Sequence, residues 1–196
     1  MPSYVKTSVA KPAGMPGRAL NTKDRLIIID VDDIDTFPPR TNGVAIESDI
    51  TMKEDTYAVT VYLTPGTAVL QSNSEGDPDA QGFKPSVEFS HPGNSLDARE
   101  FKANWLGKNC VVLLESCQDS GMDIIGSPCN PCQMAVEYTG NNEGNANKFT
   151  FAQVSKGDDI GIYRGAVTFA SGASGGEGGD GDGNGGSNGG SGGNGG

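Results

Sequence analysis

Residues 109–139 read NCVVLLESCQDSGMDIIGSPCNPCQMAVEYT. CVVLLES (110–116) is apolar and β-prone, QDSG (118–121) is turn chemistry and MDIIG (122–126) is apolar again, so 109–126 reads as a β-hairpin. A strand-like QMAVEYT (133–139) follows. The stretch also holds all four cysteines, Cys110, Cys117, Cys129 and Cys132. Their placement separates a metal or redox protein from a structural one.

Only Cys129 and Cys132 have zinc-knuckle spacing, where a strong zinc signal shows two such pairs. A turn centred on Asp119 and Ser120 sets Cys117 against Met122 and places Cys110 opposite Cys129. Directly opposed residues lie about 5 Å apart at Cβ. Cys117 is seven residues from Cys110, which is about 23 Å at the rise of a strand. One zinc ion therefore cannot reach all four. The thioredoxin-like alternative expects its cysteine pair where a strand enters a helix, whereas Pro128 and Pro131 interleave this pair and a strand follows. The expectation is small core cysteines kept reduced, with Cys110 and Cys129 as a cross-strand pair. A disulfide between those two and a partial metal site remain the alternatives.

Working outward, strand-like runs recur from Arg25: RLIIIDV, GVAIESDI, TYAVTVYL, SVEFS, KFTFAQV and GAVTF join those above. FPPRTNG, TPG, HPGN and TGNNEGN punctuate them, as in an antiparallel sandwich or barrel. One segment differs. Asn94 or Ser95 caps a predicted helix through about Leu106, with Asp97 and Glu100 near its positive end and Leu96, Phe101 and Trp105 on the buried side. The predicted fold is mainly β, an antiparallel sandwich or barrel with one short flanking helix.

The ends differ in composition from this body. Residues 171–196 are almost entirely Gly, Ser, Asn and Asp and contain half of the chain's 30 glycines. They read as a disordered, flexible tail. Residues 1–24 carry three prolines and no apolar run that suits a signal peptide or membrane span, and read as a flexible basic arm. A single domain over 25–170 remains, long enough for a real core. Residues 26–170 hold nine basic against 21 acidic groups, a net charge of −12. So acidic a body does not bind nucleic acid by attraction. With no secretion signal in view, synthesis in a reducing cytoplasm is expected.

Segments 43–50 and 56–63 read as a hairpin with MKED as its turn. Val44, Ile46 and Ile50 share one face of the first strand, and Glu47 and Asp49 the other. On the second, Tyr57, Val59, Val61 and Leu63 oppose Thr56, Ala58 and Thr60. The polar face is either a solvated exterior or an acidic wall lining an aqueous space.

No catalytic group emerges. His91 is the sole histidine and sits in SHPGNS, read as a turn ahead of the helix. Asp30, Asp32, Asp33 and Asp35 lack the glycine and distal glutamate of a calcium loop. No dinucleotide fingerprint or P-loop is present. The expectation is a protein that is not an enzyme and holds no cofactor.

From Trp105 onward the chain resembles the small β-rich structural proteins of tailed bacteriophages, most nearly the tail-tube (major tail) proteins of phages of Bacteroides-like hosts. The resemblance rests on NCVVLLESC, GSPCNPC, QMAVEYT, TGNNEGNANK leading into FTFAQV, and KGDDIGIYRGAVTF, about 65 residues matched in pattern. It implies two packed sheets with a flanking helix, subunits joined edge to edge into rings, and rings stacked through an arm and a long hairpin loop. Such a protein's partners are copies of itself, other virion proteins and DNA that passes without specific binding, with no membrane. Its place is the virion tail after synthesis in the host cytoplasm. Exposed edges become interfaces, and a negative lumen lets DNA, with a charge every ~1.7 Å, slide. Glu47, Asp49, Glu54 and Asp55 are the candidate lumen residues, and the arm the candidate contact with the next ring. Two other readings accompany it: a capsid-decorating or head-tail joining phage protein, and a zinc- or thiol-dependent module using the cysteines.

Overall fold

The computed structural model describes residues 8–11, 13, 17, 19–117 and 121–170. The expected glycine-rich tail, the predicted turn at 118–120 and half of the expected arm lie outside the described residues. Twelve strands and one α-helix follow one another there: β1 (Thr22–Asp30), β2 (Ile34–Thr36), β3 (Ala45–Ile46), β4 (Thr51–Met52), β5 (Val59–Tyr62), β6 (Val69–Glu75), β7 (Gly82–Pro92), α1 (Leu96–Trp105), β8 (Cys110–Ser116), β9 (Met122–Ile125), β10 (Cys132–Asn141), β11 (Gly144–Gln153) and β12 (Gly161–Tyr163). β1 opens at Thr22, inside the stretch expected to be arm.

The sheet is organised around β1 and β8. Their apolar runs, Leu26–Ile29 and Cys110–Leu114, are buried at every position, as expected of strands covered on both faces. They pair antiparallel with Ile27 opposite Leu113 and Ile29 opposite Val111. Because side chains alternate along a strand, one run serves two cores. Leu26, Ile28, Cys110, Val112 and Leu114 join Val87, Phe89, Phe149 and Phe151 in the first. Ile27, Ile29, Val111 and Leu113 join Ile46, Ile50, Ile124 and Tyr163 in the second.

Beyond β1 lies β5, and beyond β8 lie β9, β12 and β3. At Cys110 the edge of β8 passes from β9 to β10, and the sheet continues through β11 and β7 to β6. It curls until Thr64 N, just past β5, donates to Ser90 O of β7 (2.8 Å). The first core fills this nearly closed barrel. The second lies outside it, under the small β2–β4 sheet and the segment ending at Phe169. The fold is therefore mainly β; its strands pair antiparallel except where β12 runs parallel to β3, with isolated parallel bridges at Ala58–Phe169 and Leu106–Met134.

The helix forms where predicted. Ser95 Oγ accepts from Ala98 N (3.3 Å), and Gly107 follows with φ 79, the cap at each end that a short helix needs. Phe101 and Trp105 pack on the first core with Ala98 buried beside them, but Leu96 is 69% exposed. Residues three and four apart share a helix face. Ala98, Phe101 and Trp105 satisfy that spacing and Leu96 does not.

The predicted 43–63 hairpin does not form. β3 pairs with β12 and β5 with β1, while the MKED turn follows β4, whose partner is β2. Ile46, Ile50, Val61 and Leu63 are buried as expected, whereas Val44, Tyr57 and Val59 are exposed and Ala58 is buried against the second core. Backbone bonding moves Ala58 inward: its N–H donates to Thr168 O (2.9 Å).

Candidate functional site

Two regions carry residues singled out by sequence, the cysteine row and the acidic surface, and a third, the outer edge of the sheet, joins them. In the first, β8 pairs with β9 so that Glu115 faces Met122, where the predicted register set Cys117 there. The register differs by two residues, which keeps every side chain on its predicted face but changes the partner. Cys110 faces Cys132 of β10, not Cys129. Cys110 and Cys132 are buried, and Cys117 and Cys129 are exposed free thiols.

The β9–β10 connection explains this arrangement. Gly126, with φ 86, turns the chain directly over the pair: a Cβ there would stand 3.1 Å from Cys132 Sγ and 3.2 Å from Cys110 O. Ser127 and Asn130 then exchange backbone hydrogen bonds, placing Cys129 on a surface turn. Asn130 fixes that turn by donating through Nδ2 to Ser155 O (2.8 Å) and accepting from Ser155 N (3.1 Å). Cys110 Sγ donates to Cys132 O (3.3 Å). Burial pushes the Cys110 thiol up to about 12, with Asp30 adding to the effect. Burial, then proximity to Cys110, raises Cys132 as well. Both are neutral thiols at physiological pH.

The acidic candidates do not share one strand face. Glu47 is paired with Arg164 (2.8 Å), and Asp49 accepts from Ala166 N (2.7 Å). Glu54 and Asp55 form the turn after β4, with Asp55 in the left-handed region at φ 59. Asp49 and Asp55 nevertheless line one open groove of about 360 Å³, together with Lys53 and Tyr57. The aspartates around residue 30 have a structural part: Asp30 caps the 3-10 turn by accepting from Asp32 N (3.0 Å) and is paired with Lys108. Asp30, first by hydrogen bond and then by charge, raises the lysine's pKa. Among the described residues no three His, Cys, Asp or Glu side chains gather as a metal shell requires. Nor, among them, is any helix long and apolar enough to cross a membrane.

His91 lies near the end of β7, not in a turn. Its Nδ1 is 2.9 Å from Tyr62 O, and its ring stands edge-on to Tyr62 and Phe149. These contacts tie β7 to β5.

The third region was missed by sequence. β6 and β7 form a hairpin with seven consecutive pairs, from Val69 opposite Glu88 to Glu75 opposite Gly82. β6 ends the sheet, and among the described residues no strand pairs with its outer side. Its sequence, VLQSNSE, is too polar to read as a strand. The turn-rich EGDPDAQG (75–82) beside it was the available signal.

No family model, curated protein or solved structure matches this chain.

Proposed function

We propose that the chain is a structural virion protein, a tail-tube subunit of a tailed phage that self-assembles into stacked rings around a passage for DNA. The observation that carries this reading is the open edge at β6. Monomeric proteins protect such edges with lysine, proline, bulges or very short strands. β6 has seven residues in unbroken register and contains neither lysine nor proline. An edge of this kind is suited to pairing with another copy.

Two further features support the proposal. The β10–β11 hairpin is long, pairing ten residues from Cys132 opposite Gln153 to Asn141 opposite Gly144, and it is exposed from Tyr138 to Asn145. It suits a contact between rings. The net charge of −12 over 26–170 suits a passage that repels DNA. Among the described residues Glu54, Asp55 and Asp49 are the lumen candidates without an ion pair, whereas Arg164 offsets Glu47. Negative-stain electron microscopy of the purified chain at increasing concentration tests the proposal, with rings or tubes as the expected result. Monodisperse particles at every concentration and salt would overturn it, and binding to empty capsids without self-assembly would move the protein to the head.

A further inference from the structure

We infer that Cys110 and Cys132 form a latent cross-strand disulfide, closed by a small peroxide-type oxidant, that staples β8 to β10. The inference stands on local geometry and does not depend on the proposed assembly.

The two residues are register partners on adjacent antiparallel strands. Opposed residues of such a pair have Cα atoms about 4.5–5.5 Å apart, inside the roughly 4.4–6.8 Å that a disulfide spans. Their side chains share a face, since both belong to the first core. The Cys110 thiol already lies 3.3 Å from the Cys132 carbonyl oxygen. No large rearrangement is therefore needed to join the two sulfurs.

The position gives the bond a consequence. Cys110–Cys132 is the one register pair joining β8 to β10 among the described residues, whereas β8 meets β9 over four pairs and β1 over six. It is the shortest strand pairing in the sheet. A covalent link there closes a loop of chain between the two strands, which restricts the unfolded state.

Burial selects the oxidant. Both thiols are shielded, so a bulky disulfide reagent is excluded while a peroxide is small enough to enter during local opening. Local opening returns Cys132 to water, where it can ionise; its thiolate attacks one peroxide oxygen, the O–O bond breaks, hydroxide leaves and takes up the thiol's proton as water, and a sulfenic acid remains. Cys110 sulfur then attacks that sulfur, the S–O bond breaks and a second water departs. In total the two thiols lose two electrons and two protons, and one peroxide becomes two waters. Gln153, opposite Cys132 on β11, buries a carboxamide oxygen that has no hydrogen-bond partner among the described residues. That oxygen offers an acceptor to the sulfenic acid O–H.

The full chain carrying Cys117→Ser and Cys129→Ser leaves only the buried pair. It is treated with hydrogen peroxide, alkylated under denaturing conditions and mapped by peptide mass spectrometry. The expected product lacks two hydrogens, resists alkylation, links the peptides containing Cys110 and Cys132, and unfolds about 5–10 °C higher. Dithiothreitol reverses all four changes. The inference is overturned if both thiols stay alkylatable, or if each is oxidised separately to sulfinic acid. Should the double variant not fold, the same mapping on the unaltered chain decides, and a Cys129–Cys132 link in place of Cys110–Cys132 also overturns it.

Discussion

Strands β8 and β6 lie in the same sheet and have seven residues each, yet they do opposite things with them. β8 commits its side chains to two cores and its backbone to neighbours on both sides, β1 on one and β9 and β10 on the other. Among the described residues β6 pairs along one side only, and it leaves Val69, Gln71, Asn73, Ser74 and Glu75 exposed. Stability and availability for partners are thus separated within one sheet, and changes at the two strands should have very different consequences.

The largest effect is expected at the centre. Leu113 is fully buried in a row with Ile27 on one side and Ile124 on the other. Leu113→Ala leaves a cavity in that row, and the neighbouring backbones are too constrained to fill it. Urea unfolding should show a loss of about 3 kcal/mol. A loss below about 1 kcal/mol would mean that the second core is loosely packed.

Next comes the residue that holds the outer layer to this centre. Tyr163 is fully buried; its hydroxyl accepts from Ile50 N (2.9 Å) and donates to Ala166 O (2.6 Å). Tyr163→Phe keeps the ring and removes both bonds. The buried Ile50 N–H is then left without an acceptor, at a cost of about 2 kcal/mol by the same urea measurement. An unchanged midpoint would show that another acceptor replaces the hydroxyl.

A pH titration sharpens the contrast without altering the packing. The folded-state pKa of Cys110, about 12, lies above its ordinary value of 9.0 because burial disfavours the thiolate. Cys132 and Tyr163 are raised too, each first by burial. Raised values mean that the native state holds protons the unfolded chain has released, so stability falls as pH rises. The contribution is full below pH 9.0 and is lost toward pH 12. Thermal midpoints of the reduced protein should therefore decline across this window. Cys110→Ser should flatten the decline, and an identical slope in that variant would assign it to other groups.

How much of this was legible in the sequence differs by region for physical reasons. The continuous runs LIII and CVVLL announce burial, and the helix announces itself through Ser95 and the spacing of Phe101 and Trp105. Alternation shows which face a residue takes but not which strand it meets. Segments 43–50 and 56–63 looked like a hairpin because both had apolar faces, yet their partners, β12 and β1, lie elsewhere in the chain. The same limit exchanged Cys129 for Cys132 opposite Cys110. The β6 edge was illegible because an edge strand buries little, so its sequence carries almost no hydrophobic signal.

The smallest effect on stability is expected at that edge, and there it is most informative. Gln71 and Ser74 are exposed on β6, opposite Ser86 and Phe83. Gln71→Lys with Ser74→Lys removes no core contact, so each change should shift stability by no more than about 0.5 kcal/mol. Two lysines on an edge whose one charged residue is the terminal Glu75 are nevertheless the device that keeps natural sheets apart. The double variant should unfold like the parent in urea yet form no rings or tubes under conditions where the parent does. Loss of assembly with unchanged stability assigns the interface to β6, because a damaged fold would have moved the midpoint. Assembly that survives both lysines would place the subunit contact on another surface, with the exposed β10–β11 hairpin as the next to test.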